Sequence, residues 1–244
     1  MRPLGVALLV CALLPAAGAD EPRRVLKSGP KRVALLELYT SEGCSSCPSA
    51  DTWMSTLPGR GLSLDKVVPL ALHVDYWNDI GWVDPFSKPR FTTRQREAAS
   101  RSGSGLYTPE SVLNGRELRD RAGIAEQIEA LNATRARAEV TLEIGAVAGD
   151  KVRAIVRTSS DARTRLYLAL YENELAVAVK SGENGGRTLK HDFVVRELVG
   201  PLDARELDRE LSIKSDWKRG KLGLAAFVED AGSGEVLQVV AAPL

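Results

Sequence analysis

Histidine and cysteine are scarce in this 244-residue chain, with two of the former and three of the latter. So few exclude a disulfide-dense scaffold and a four-ligand zinc module, each of which needs more such side chains. An excess of charge of one sign is also missing: 33 Lys and Arg stand against 32 Asp and Glu. A balanced chain exerts no long-range pull on nucleic acid or anionic lipid, so neither is expected as a partner. Beyond Leu14 there is no long apolar run, which excludes a stable membrane anchor as an expectation. Internal repeats and low-complexity tracts are absent as well.

The first residues carry an address. Arg2 is followed by an apolar run from Leu4 to Leu14, then by Ala17-Gly18-Ala19 before Asp20. This is the pattern of a cleaved export signal over residues 1–19. The run is shorter than the roughly 20 residues a membrane-spanning helix needs. It also continues past Cys11, which argues against lipid attachment at that cysteine. A periplasmic or secreted location is therefore expected. Residues 20–31, with Pro22, Gly29 and Pro30, read as a short leader. Loss of Cys11 with the signal leaves Cys44 and Cys47 as the sole cysteine pair.

Val33 to Thr40 is an apolar run interrupted by Glu37, suited to a strand buried on both faces. From Cys44 the period changes, and Ala50, Trp53, Met54 and Leu57 fall on one helical face ending at Pro58-Gly59. Val67 to Val74 reads as a second strand. A long aromatic loop, Asp75 to Pro89, leads into an Arg-rich helix over Arg90 to Ser102, whose Arg94, Arg96 and Arg101 are expected on a solvated face. Asn114-Gly115 marks a hairpin, and Ile124, Ile128 and Leu131 mark a last helix. Strand, Cys-bearing helix, strand, helix, hairpin, helix is the order of a thioredoxin fold. After about Arg135 extended segments follow one another between Gly and Asp turns. The expected fold is therefore an α/β thioredoxin-like N-terminal domain over 32–134 with a C-terminal all-β, sandwich-like domain over 135–244.

A thiol at a helix start meets unpaired N–H groups and the helix dipole, both of which favour the thiolate. Cys44 is the candidate nucleophile and Cys47 the resolving thiol. A permanent structural disulfide and a zinc half-site remain the alternatives, although zinc would need two more ligands and the mature chain offers no further Cys and only His73 and His191. Glu37, set among leucines, is expected beneath the pair, where burial favours its protonated form and a relay to Cys47. The alternative is a strand-end carboxylate capping a turn. Thr108-Pro109, just before a hairpin strand, is a candidate cis peptide that leaves a backbone edge for a substrate. His73, Tyr76, Trp77 and Trp82 gather at the end of the second strand. They form either an aromatic wall for a ligand or a loop packed on the other half, the latter being the commoner use of such side chains. Gly182 to His191 lacks the strand–turn–helix setting of a phosphate loop and reads as an ordered hairpin or a contact between the halves.

Leu36-Glu37-Leu38-Tyr39-Thr40-Ser41-Glu42-Gly43-Cys44-Ser45-Ser46-Cys47-Pro48 with Ala50-Asp51 after it, Leu72 to Trp77, Gly81-Trp82, Asp84-Pro85-Phe86, Tyr107-Thr108-Pro109 and Gly182 to His191 together resemble a family of exported bacterial proteins. It is known as domain of unknown function 1223. The resemblance implies a thioredoxin-like fold with an accessory β-domain and brings no substrate. The chain departs from the family pattern at Glu42 and Glu110, where Gln is expected. Added negative charge near the pair would raise a thiol pKa. The expected activity is thiol–disulfide exchange with protein or small-molecule thiols, by Cys44 and Cys47 with Glu37 and Pro109. Thr108, Tyr76 and Trp77 are the candidate substrate contacts, with no cofactor and no metal. A carrier of a soft metal such as Cu(I), or a partner-binding module with a structural disulfide, stands as the alternative.

Overall fold

The computed structural model describes residues 24–244, so the expected export signal and residues 20–23 of the leader lie outside the described residues. Strands and helices are numbered in chain order. Ala34–Thr40 (β2) and Val67–His73 (β3) are buried at every position. They pair in parallel from Ala34↔Val67 to Thr40↔His73. Strands buried on both faces must also find partners at their edges, because no water reaches their backbone groups. On one side β2 takes Glu110–Leu113 (β4) in antiparallel register. That strand turns through Asn114-Gly115, both at positive φ, into Arg116–Glu117 (β5), the hairpin expected from the sequence.

On the other side β3 takes Val194–Leu202 (β11) in parallel through Val194↔Ala71. Next to β11 come Thr164–Glu172 (β8), Leu222–Asp230 (β13) and Val236–Pro243 (β14), all antiparallel. The result is one mixed sheet of eight strands in the order β14-β13-β8-β11-β3-β2-β4-β5. This overturns the expected pairing of an α/β thioredoxin-like domain with a separate all-β domain. The chain is mostly β, with three α-helices among the described residues, and its largest sheet draws strands from both halves. The physical reason is the open edge of β3, which the second half fills.

A second, antiparallel sheet is built from Arg24–Lys27 (β1), Ala138–Ala148 (β6), Lys151–Ser160 (β7) and Glu206–Ser212 (β12), in the order β1-β6-β7-β12. It covers one face of the β14-β13-β8 end of the large sheet. Alternation along β8 shows the division. Leu166, Leu168 and Leu170 join Val140, Leu142 and Val156 in one core, whereas Tyr167, Ala169 and Tyr171 join Leu36, Leu38 and Phe91 in the other. Helices Cys47–Ser55 (α1), Pro89–Ser102 (α2) and Ile124–Ala133 (α3) pack on the β2 and β3 portion.

The Arg-rich helix departs from expectation. Arg94 of α2 is buried, and its guanidinium holds Glu37 of β2 through Nε (2.5 Å) and Nη2 (3.1 Å). It also donates to Glu229 of β13. The same guanidinium lies over the rings of Tyr167 and Phe227, 4.5 and 5.1 Å from their centroids. One helix residue thus joins strands from both halves of the chain.

Candidate functional site

The end of β2 delivers the cysteines. Cys44 and Cys47 form a disulfide with Cα atoms 5.4 Å apart. Helix α1 begins at Cys47 itself, one turn later than the sequence suggested, with Pro48 in its first turn, where a missing N–H is harmless. Cys47 N donates to Cys44 O (3.2 Å), and Ser46 Oγ lies 3.3 Å from Cys44 Sγ. Both cysteines are enclosed, at 1% and 0% exposure, while Ser45 and Ser46 between them face solvent.

Two loops make that enclosure. The aromatic loop after β3 presses on Gly43: a Cβ there would sit 3.1 Å from Trp77 Cβ and 3.2 Å from its carbonyl oxygen. The other cover is the turn of a hairpin, Leu175–Ala178 (β9) with Thr188–His191 (β10). Its Glu183 accepts the Ser45 N–H at 2.9 Å. Its buried Asn184 donates from Nδ2 to the carbonyls of Glu42 and Cys44, both at 2.9 Å, and Arg187 holds the amide oxygen at 2.6 Å. The loops meet at Gly81 and Gly182, both at positive φ, where a Cβ on Gly81 would stand 3.3 Å from Gly182 Cα. Side chains at that crossing would force the loops apart. The aromatic loop therefore does pack on the second half of the chain, and both cover the disulfide.

Beneath lies an ionic cluster that the sequence alone did not bring together. His191 Nε2 is 3.1 Å from Glu42 Oε1, and its Nδ1 is 3.5 Å from Asp51 Oδ2. Thr40 Oγ1 donates to the same Asp51 oxygen (3.2 Å), and Trp82 Nε1 donates to Glu42 Oε2 (2.8 Å). Burial pushes the His191 pKa down. The carboxyl groups of Asp51 and Glu42, the latter hydrogen-bonded, outweigh it and carry the value up to about 10, so the ring is an imidazolium at neutral pH. Asp51 follows Cys47 by one helical turn, and both are buried on the same face of α1, against which β10 packs. The cluster therefore sits under the cysteine-bearing helix, its one cation matched by the carboxyl groups of Glu42 and Asp51. A second histidine, His73, bonds Asp84 at 2.6 Å and stands edge-on to His191, with centroids 5.1 Å apart. Asp84 also accepts the Glu42 N–H (2.8 Å). Although burial raises its pKa, His73 and the N–H groups of Glu42 and Phe86 hold the carboxyl below its ordinary value.

The residues expected from sequence are distributed as follows. Thr108-Pro109 is cis. It lies one residue before the Tyr39↔Glu110 pair, next to the end of β2 from which the cysteine loop departs. Tyr76 and Thr108 come together. Tyr76 Oη also donates to Gln95 Oε1 (3.2 Å), and Gln95 in turn binds Tyr107 O and Glu110. Trp77 abuts Gly43. Glu37 is a correction: it points to the face of β2 opposite Thr40 and α1 and is bound to Arg94, away from Cys47. The side chains at the expected departures are compensated. Glu42 is held by His191 and Trp82, and Glu110 by Gln95, although burial still raises the Glu110 pKa. Sequence reasoning missed Asp51, His191, Glu183 and Asn184 as neighbours of the pair. All four lie in the blocks that carry the family resemblance, which was the available signal. No group of three or more His, Cys, Asp or Glu that could hold a metal ion occurs among the described residues. None of their helices is long and apolar enough to cross a membrane.

Against known proteins, a family model described as protein of unknown function DUF1223 matches residues 35–229. A crystal structure of a protein from Agrobacterium tumefaciens aligns with a TM-score of 0.62 at 28% identity, covering 87% of this chain and 95% of that one. A domain of the outer membrane lipoprotein Omp28 from Porphyromonas gingivalis aligns with a TM-score of 0.29 at 15% identity, over 45% of this chain and 88% of that one. No curated protein matches the sequence.

Proposed function

The chain belongs to the DUF1223 family, to which no activity is assigned, and from the site itself we propose that it is an exported thiol–disulfide oxidoreductase. The observation that carries this reading is the Cys44–Cys47 disulfide at the start of α1, where β2 ends and the cis Thr108-Pro109 bond lies next to that strand end. In the reductive direction, the Cys44 thiolate attacks a substrate disulfide, forms a mixed disulfide and expels one substrate thiolate. Cys47 then loses its proton and attacks Cys44 Sγ. The second substrate thiolate leaves and the Cys44–Cys47 bond forms. Two electrons pass to the substrate, and the reverse sequence oxidises a dithiol.

Polypeptide substrates suit the surroundings. Among the described residues, six large apolar side chains are exposed, and four of them, Ile80, Val83, Leu106 and Tyr107, lie on the aromatic loop and the segment before Pro109. Apolar surface gathered beside a reactive bond is what an unfolded or extended partner would use. Because both sulfurs are enclosed, exchange requires the Glu183–Asn184 turn to lift from Ser45 and Cys44 first. Export rests on residues 1–19, and a mature N-terminus at Asp20 is expected.

The test is insulin reduction and disulfide transfer with the purified protein. Cys44→Ser should abolish both, and Cys47→Ser should trap a mixed disulfide with the substrate. Full turnover by Cys44→Ser would overturn the assignment.

A further inference from the structure

We propose that a cleft at the opposite pole of the sheet binds a single-chain amphiphile with an anionic head, a carboxylate or phosphate on an alkyl tail. The cleft lies between the strap 26–33, α3 and the free edge of β14, and its volume is about 890 Å³. That falls within the range of small-molecule sites, about 300–1,000 Å³. Strand β2 starts beside it at Ala34 and releases the cysteine loop after Thr40, so seven extended residues, roughly 20 Å, separate the two sites.

Its walls are built in advance. The fully buried Gln238 of β14 donates from Nε2 to Lys31 O (2.9 Å) and Gly29 O (3.3 Å) and accepts the Val33 N–H at 2.9 Å. The strap is thereby held off the sheet edge at a fixed height. Leu26, Leu64, Ala133, Val239 and Ala241 supply an apolar lining fit for a hydrocarbon chain.

Polar groups at the rim specify the head. Lys27, Lys31, Arg32 and Lys66 line the cleft against two acids, Asp65 and Glu129. Lys31 makes no ion pair among the described residues, and the Lys66 ammonium reaches only a carbonyl, Gly61 O at 3.0 Å. Arg32 is over nine-tenths buried. Its Nη1 binds Glu235 (2.8 Å) and its Nη2 binds Val236 O (2.5 Å), yet its enclosed Nε has no partner. Unsatisfied buried donors are costly, and a guanidinium N–H most of all. An anionic head pairs with the two rim lysines while its tail fills the apolar floor.

Calorimetric titration of the purified protein with dodecanoate, dodecyl phosphate and 1-dodecanol, each below its aggregation limit, tests this. Saturable 1:1 binding of at least one anion is expected, about tenfold or more tighter than that of dodecanol. Which anion binds tells a carboxylate site from a phosphate site. The Lys31→Glu/Lys66→Glu variant should weaken the anion by about tenfold and leave dodecanol unchanged. Ala133→Trp, or Ala241→Trp if the first fails to fold, should abolish binding while thiol exchange persists. Absence of saturable binding, equal affinity for dodecanol, or undiminished binding in a folded tryptophan variant would each overturn the proposal.

Discussion

Two buried ionic clusters lie on opposite faces of β2, and they differ in what their cation can do. On one face Arg94 binds Glu37 and Glu229 under the rings of Tyr167 and Phe227. On the other, His191 stands between Glu42 and Asp51 below the cysteine helix. Each places one cation between two carboxyl groups. A guanidinium keeps its charge at any pH the fold survives, so the first cluster is a fixed joint between the two halves of the sheet. An imidazolium can lose its proton, so the second is adjustable and sits where charge matters to a thiolate.

The largest expected effect comes from breaking the joint. Arg94→Met leaves Glu37 and Glu229 buried without their cation and should lower stability by about 3–5 kcal/mol in urea unfolding. Replacing all three residues by apolar ones of similar volume should recover most of that loss. Neither change should move the reduction potential of the Cys44–Cys47 pair; an equal shift in Arg94→Met and in a His191 variant would erase the distinction between the clusters.

Next in size is His191→Gln, expected to lose about 1.5–3 kcal/mol through its charge-assisted hydrogen bond and to change the potential of the pair. The pH dependence sharpens the contrast. The His191 pKa is raised on folding, from about 6.5 in the unfolded chain to about 10. The folded state therefore holds the proton more tightly. Its contribution is complete below the unfolded value and is lost as pH rises through the folded one. Wild-type urea midpoints should fall between neutral pH and pH about 10, and this part of the fall should vanish in His191→Gln.

A smaller effect of the opposite sign belongs to Asp84, whose carboxyl is held below its ordinary value. Its contribution is present above the unfolded value and lost as pH falls through the folded one, so Asp84→Asn should flatten the acid limb of the stability profile. The smallest effect on stability is expected from Glu183→Ala. This side chain touches only the Ser45 turn, yet the variant should hasten reduction of the disulfide by dithiothreitol, because local opening limits access to an enclosed bond. An unchanged reduction rate would mean that the turn does not gate the site.

The legible features were those with local causes. Cys44 and Cys47, Pro48 in the first turn and the Asn114-Gly115 hairpin are all set by neighbours in the chain. What escaped depends on distant pairings. Nothing near Val67–His73 says that β11 will take its free edge, and with that one pairing the expected two-domain arrangement gives way to a continuous sheet. Arg94 looked solvated because its helix is rich in polar side chains; its partners lie 57 and 135 residues away. His191 reaches Glu42 across 149 residues. Glu37 was placed in the right strand but on the wrong face relative to the cysteines, since alternation alone does not say which face a helix will cover.

The most direct measurement is a redox titration of the native protein in graded thiol–disulfide buffers, read by alkylation and mass shift. A single two-electron transition is expected, at which both Cys44 and Cys47 become open to labelling, with Cys44 the faster to alkylate at neutral pH. Sulfurs that stay unlabelled at every potential until the protein is denatured would contradict it.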